Sequence, residues 1–186
     1  MIFDNIIDRL SDFFKIYENG PVEQGVVPFY YVPSSTSTKF PQLSHILLGR
    51  DNVNGELKSP LYNYFETIVF DFLDKKNLSH GGVMRACLNL QYSHQLPHTD
   101  PHIDSYNDHH VILIYLNDAS GDTIIYKEIS DKSKSGVLAY DTQLEVKEYV
   151  TPKKGKIVCF DGKNYHANFL PKAGELRLVC VFNVEK

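Results

Sequence analysis

Five of the chain's eight histidines fall between His94 and His110, interleaved with Asp100, Asp104 and Asp108. Two His-x-Asp pairs lie in that stretch, His98-Thr99-Asp100 and His102-Ile103-Asp104. One histidine lies beyond it, His166, and Arg177 follows eleven positions later. Imidazole and carboxylate donors together suit Fe(II). Two histidines and one carboxylate on one face leave three coordination positions open, where an organic acid and dioxygen can bind.

The His-x-Asp spacing makes physical sense in a strand, where residues two apart point to one face. Such pairs also arise often by chance, and here two compete. In a continuous strand all four side chains would share a face, but Pro97 and Pro101 interrupt it. One pair is therefore expected in the site, with the other at its rim or against substrate. His166 follows a strand-like run at 156–160 and the turn Asp161-Gly162, which places it at a strand beginning. It lies 62 residues beyond Asp104 and can return beside the pair only through the fold. Arg177 interrupts Leu176-Arg177-Leu178-Val179-Cys180-Val181-Phe182, a run apolar on both faces. A guanidinium buried there needs a partner, because an unpaired buried charge is costly. The strand offers no acid, so a bound acid is a fitting partner. There is no Ser-His-Asp or Cys-His signature, and no catalytic side chain beyond the metal centre is expected.

The elements that must position these residues follow from periodicity. Residues 4–17 read as an amphipathic helix capped by Asp4, with Ile6, Ile7, Leu10, Phe13, Phe14 and Tyr17 on one stripe. Asn19-Gly20-Pro21 stops it. A loop-rich stretch with Pro28, Pro33 and Pro41 follows; Phe29-Tyr30-Tyr31-Val32 makes it too apolar for a linker, so it should pack on the core. A second helix should start at Ser59-Pro60, bury Leu61, Phe65, Ile68, Val69, Phe72 and Leu73, and fade by Lys75-Lys76-Asn77. From residue 83 the period changes to two. Strand-like runs at 83–92, 111–117, 122–128, 145–151, 155–160 and 176–184 are separated by turn signals such as Ser120-Gly121-Asp122 and Asp161-Gly162.

Helices followed by many strands indicate an α+β, mainly β domain, closed as a jelly roll braced by N-terminal helices. At 186 residues the chain is expected to form one domain, with 1–82 as helical support and 83–186 as the jelly-roll core.

Composition bounds the rest. The net charge of -4 argues against a nucleic-acid footprint, which would show as a basic excess. Cys87, Cys159 and Cys180 sit in apolar runs without a Cys-x-x-Cys pair and are expected as reduced core thiols. No apolar run approaches the roughly 18 residues of a membrane span. The start Met1-Ile2-Phe3-Asp4 lacks the basic character of a signal peptide, so a cytoplasmic location is expected.

With these residues in place, the chain resembles the 2-oxoglutarate and Fe(II)-dependent dioxygenases, in particular small prolyl-hydroxylase-like forms of bacteriophage and marine microbial genomes. The resemblance runs over roughly residues 83–184. It is carried in order by Asn89-Leu90-Gln91-Tyr92, Pro101-His102-Ile103-Asp104, Ile114-Tyr115-Leu116-Asn117, Gly121-Asp122-Thr123, Gly155 to Asp161, Tyr165-His166 and Gly174-Glu175-Leu176-Arg177.

The resemblance implies a double-stranded β-helix with Fe(II) held by His102, Asp104 and His166; His98 and Asp100 are the competing pair. It implies 2-oxoglutarate and O2 as co-substrates, with Arg177 on the far carboxylate and Tyr115 sharing that contact. The host cytoplasm would be the location for a viral form. The implied activity is hydroxylation of a small-molecule or peptidyl substrate, with release of succinate and CO2. Beside it stand blander expectations: His94, His109 and His110 as solvated or loop histidines, Tyr115 as a core residue, and Asp122 and Thr123 as turn residues. Two other functions compete, a cupin-like metal-dependent isomerase or hydrolase and a non-catalytic jelly-roll binding domain.

Overall fold

The computed structural model describes residues 27–34, 40–50, 59–94, 96–131 and 133–186. The helix expected at 4–17 lies outside the described residues. Nine strands and one helix are described, in the order β1 (Tyr30–Val32), β2 (Gln42–Leu48), α1 (Tyr62–Lys75), β3 (Val83–Tyr92), β4 (His109–Tyr115), β5 (Thr123–Ile129), β6 (Val146–Val150), β7 (Ile157–Asp161), β8 (Asn164–Asn168) and β9 (Leu176–Glu185). They form two antiparallel sheets, a six-stranded one ordered β1-β2-β3-β9-β4-β7 and a three-stranded one ordered β6-β5-β8.

Period-two alternation on β9 explains why its sequence is apolar on both faces. Leu178, Cys180, Phe182 and Val184 pack outward on α1, joining Phe65, Val69 and Leu73 in the main core. Val179 and Val181 face inward with Val111, Leu113 and Tyr115 of β4 and Ile125 of the small sheet. The larger sheet is thus covered by a helix on one side and faces the smaller sheet on the other, which is the layered logic of a jelly roll. Among the described residues no helix is long and apolar enough to cross a membrane.

The expected α1 begins two residues after Pro60; Ser59 Oγ accepts a hydrogen bond from the Leu61 amide at 3.3 Å. Its end at Lys75 is as expected, and Asn77 closes the turn with φ 52°. Cys87, Cys159 and Cys180 are free thiols.

Three expectations are corrected. The stretch read as loop contains β1 and β2, which extend the large sheet by pairing onto β3. Its Pro and Ser residues masked Gln42–Leu48, whose even-numbered residues turn inward while Leu47 joins the core. His166 lies in the middle of β8 rather than at a strand beginning, because the turn after β7 is only two residues long. His109 and His110 are buried in β4 rather than held in a loop. The His109 ring packs against Gly162, where an added Cβ would sit 2.2 Å from it, so a side chain there would have to displace the buried ring.

Candidate metal centre

A cavity of about 560 Å³ opens between the two sheets, within the usual range of small-molecule sites. Near its mouth His102, Asp104 and His166 converge, with one ligand atom from each all within 4.8 Å of one another. Among the described residues this is the one group of three His, Cys, Asp or Glu side chains so arranged.

The two histidines meet through backbone pairing rather than along one strand. The His102 amide donates to the His166 carbonyl and the His166 amide to the His102 carbonyl, each at 2.9 Å. This isolated bridge docks the segment after Pro101 onto β8. It brings the two rings to a centroid distance of 4.5 Å. Asp104 lies two residues further on and reaches the same point, with Oδ2 3.8 Å from His166 Nε2.

Hydrogen bonds fix which atoms face inward. His102 Nδ1 donates to the Asp100 carbonyl at 2.8 Å, and His166 Nδ1 donates to the Asn164 carbonyl at 3.3 Å. Each imidazole therefore turns its Nε2 toward the shared point, the arrangement that orients histidines for metal binding. Burial and then the neighbouring His102 push His166 down to about 4, so its ring is neutral and its lone pair available at neutral pH.

Burial pushes Asp104 upward, but His166, Arg85, His102 and the Asn183 hydrogen bond outweigh it and hold the carboxyl below its ordinary range. Asn183 Nδ2 donates to its Oδ2 at 2.8 Å, and Arg85 lies 3.4 Å from its Oδ1. Two imidazoles and one ionised carboxylate are a donor set that fits Fe(II).

The competing pair stands apart. His98 donates from Nδ1 to the Thr99 carbonyl at 2.8 Å and stacks on Tyr140 with ring centroids 4.9 Å apart. Asp100 is buried, and its carbonyl serves to hold His102. His94 is half-buried, with Nε2 donating to the Pro41 carbonyl at 3.0 Å.

Arg177 lines the same cavity further in and is only 2% exposed. It lies directly opposite Gln91 in the β3–β9 register. Its Nη1 donates to Gln91 Oε1 at 2.6 Å, its Nη2 to Thr123 Oγ1 at 2.7 Å and its Nε to the Gly121 carbonyl at 3.0 Å. Gly121 takes φ +90°, and a Cβ there would lie 2.6 Å from the Phe169 carbonyl oxygen. The guanidinium is thus oriented entirely by neutral acceptors. Burial lowers its pKa, an effect opposed by Tyr115 and Asp122, but an arginine keeps its charge in a protein. Tyr115 is fully buried; its ring centroid is 5.5 Å from the Arg177 Cζ, and its hydroxyl is hydrogen-bonded to Thr123 Oγ1 at 2.7 Å.

Sequence reasoning did not single out Arg50, Arg85 and Asn168, which also line the cavity, or Asn183, which holds Asp104. Gln91 and Thr123 lay inside quoted motifs, but their service to Arg177 was not foreseen. One signal was present: Arg85, Asn89 and Gln91 are odd-numbered polar residues in an otherwise apolar run, hence on one inward face of β3.

No protein-family model matches the chain, and no curated protein does. Solved structures do match in fold. An oxidoreductase of the 2OG-Fe(II) oxygenase family from Burkholderia pseudomallei superposes with a TM-score of 0.64 at 12% identity, covering 96% of this chain and 78% of that one. The epimerase SnoN in complex with Fe3+, alpha ketoglutarate and nogalamycin RO gives 0.60 at 12% identity, covering 98% and 73%. A prolyl hydroxylase from Trichoplax adhaerens, in complex with a hypoxia inducible factor peptide fragment, gives 0.52 at 14% identity, covering 98% and 76%. The fold is therefore the double-stranded β-helix of the 2-oxoglutarate-dependent oxygenases. At these identities the likeness speaks for the fold; the site must speak for the chemistry.

Proposed function

We propose that the chain is a 2-oxoglutarate- and Fe(II)-dependent oxygenase that hydroxylates a small-molecule or peptidyl substrate. One observation carries this reading: two imidazole nitrogens, an ionised carboxylate and a buried guanidinium face one cavity. On β8, His166 and Asn168 are two residues apart, about 7 Å along the strand. Asn168 Nδ2 donates to Gln91 Oε1, which also accepts from Arg177. The triad and Arg177 are thus separated by a short reach suited to a small dicarboxylic acid.

When bound, Fe(II) supplies the activation of O2 that couples decarboxylation of 2-oxoglutarate to oxidation of the substrate. The chain's own residues bind and orient. His102, Asp104 and His166 hold the metal, while Asn183 and Arg85 keep Asp104 ionised and aimed. Arg177 takes the far carboxylate as a charge-assisted pair. Gln91, Thr123 and the Gly121 carbonyl hold its planar fork before the acid arrives, so little ordering is left to the binding step. Tyr115 acts through Thr123 and beneath the guanidinium. Val111, Leu113, Val179 and Val181 wall the cavity with apolar surface and keep water away.

The bound Fe3+ and alpha ketoglutarate in the SnoN complex support the same pairing of ligands here. Anaerobic titration with Fe(II) and 2-oxoglutarate tests the reading. A weak visible charge-transfer band that needs both components is expected. A metal bound without any dependence on 2-oxoglutarate would favour a cupin-like isomerase or hydrolase. No stoichiometric metal at all would leave a binding domain. Incubation with cell extract and untargeted mass spectrometry, searching for a product heavier by one oxygen, then identifies the substrate.

A further inference from the structure

The cavity contains more positive charge than its two assigned tasks use. Arg50 and Arg85 both line it, and both also line a second, shallower pocket that continues outward past Asp104 and Asn183. Arg85 Nη1 approaches Asp104 Oδ1 at 3.4 Å, whereas Arg50 Nη2 donates to the Asp104 backbone carbonyl at 3.2 Å. Among the described residues, Asp104 is the only carboxylate in an ion pair with either guanidinium. Glu185 sits on the outer rim without such a pair. A divalent ion at the triad would draw the charge of Asp104 to itself. Two guanidiniums would then face the opening without an ion-pair partner among the described residues.

This pair is not a second grip on the co-substrate. Arg85 and Gln91 are six residues apart on β3, roughly 20 Å along the strand. Arg177 is opposite Gln91, and Asn183 is opposite Arg85. The two sets of guanidiniums therefore sit toward opposite ends of the cavity floor, with the triad nearer the Arg85 end.

We propose that Arg50 and Arg85 form a substrate-recognition site for an anionic group, a carboxylate or phosphate, and so place the rest of the substrate against the triad. This rests on the reading of His102, Asp104 and His166 as the metal site and of Arg177 as the anchor of 2-oxoglutarate. The outward pocket admits such a group from solvent, since Arg50 is exposed and Arg85 half-buried. Paired planar forks favour bidentate acceptors of these two kinds.

Calorimetric titration of the protein loaded with Mn(II) and saturating 2-oxoglutarate, so that the triad and Arg177 are already occupied, with inorganic phosphate and separately with acetate, tests the site without relying on turnover. Saturable binding is expected for at least one probe, and the tighter of the two identifies the group. Arg50→Gln, at an exposed position that should not disturb folding, and Arg85→Gln should each weaken it about tenfold or more. Arg177→Met should change it by no more than about twofold, because the sites are distant. Unaltered anion binding in Arg50→Gln, loss only in Arg177→Met, or no binding of either probe would overturn the proposal. Mn(II) binding, followed separately by electron paramagnetic resonance, reports on the triad. Its failure with anion binding intact would retract the oxygenase reading and keep the anion site.

Discussion

The two ends of the cavity handle charge in opposite ways. At the inner end Arg177 is buried among Gln91, Thr123 and the Gly121 carbonyl, all neutral, so its orientation is satisfied but its charge is not. At the outer end Asp104 is ringed by His102, His166, Arg85 and Asn183, and its charge is shared among several partners. A site satisfied in geometry but not in charge is organised for an ion of opposite sign. A site with an ionised carboxylate between two imidazoles is organised for a metal. The inner end should therefore select an acid, and the triad at the outer end a cation beside the anion site proposed for Arg50 and Arg85; each should be separately breakable.

The largest effect should follow from removing a triad member. His166→Ala should weaken Fe(II) or Mn(II) binding by more than about a hundredfold, beyond what the loss of a supporting partner costs. Conversion of 2-oxoglutarate to succinate should be abolished. His102→Ala and Asp104→Ala should behave alike, whereas His98→Ala should retain the metal because its ring is turned to Thr99 and Tyr140. Metal analysis of the purified variants decides; retention of metal by His166→Ala would move the site elsewhere.

Next comes the inner end. Arg177→Met should raise the 2-oxoglutarate requirement roughly ten- to hundredfold, the equivalent of about 1.5–3 kcal/mol for a charge-assisted pair. Metal affinity should be nearly unchanged. Arg177→Lys should recover only part of the loss, since an ammonium cannot satisfy three acceptors with a planar fork. Parallel loss of metal in the methionine variant would show that the two ends are coupled.

A smaller effect tests the neutral cradle itself. Gln91→Leu removes the acceptor of Arg177 Nη1 and should raise the 2-oxoglutarate requirement by about five- to tenfold, near 1 kcal/mol. The maximal rate should be largely retained, because the residue positions the arginine and does not touch the metal. An unchanged requirement would mean that Thr123 and Gly121 suffice.

Smallest is Tyr115→Phe, expected to shift the 2-oxoglutarate requirement by no more than about threefold, since its hydroxyl acts through Thr123. A loss as large as that of Arg177→Met would instead give Tyr115 a direct share in the carboxylate.

Much of the framework was legible in the residues. The strands Val83–Tyr92 and Leu176–Glu185 and the helix ending at Lys75 follow from periodicity, apolar content and turn chemistry, all local properties. β2 was hidden because its inward face begins polar: Gln42 and Ser44 line the cavity ahead of Ile46 and Leu48, and so its alternation ran against the usual pattern. The centrality of His166 in β8 was hidden because the strand is short and mixed in polarity. The N-terminal helix lies outside the described residues.

By itself, the sequence determined the donor types, the alternation that turns Arg177 and Gln91 to one side of the sheet, and the mainly β architecture. These are consequences of side-chain chemistry and of a period of two. Only the tertiary structure decided between His98-Thr99-Asp100 and His102-Ile103-Asp104 as the pair that meets His166. The decision lies in the two backbone hydrogen bonds joining His102 to His166, a long-range pairing that no spacing within residues 94–110 encodes. The neighbourhood of Arg177 was settled in the same way. Gln91 lies 86 positions before it, and Thr123 54 before it. The chain ends in this arrangement because antiparallel register and burial, acting over the whole sheet, place those side chains across from one another.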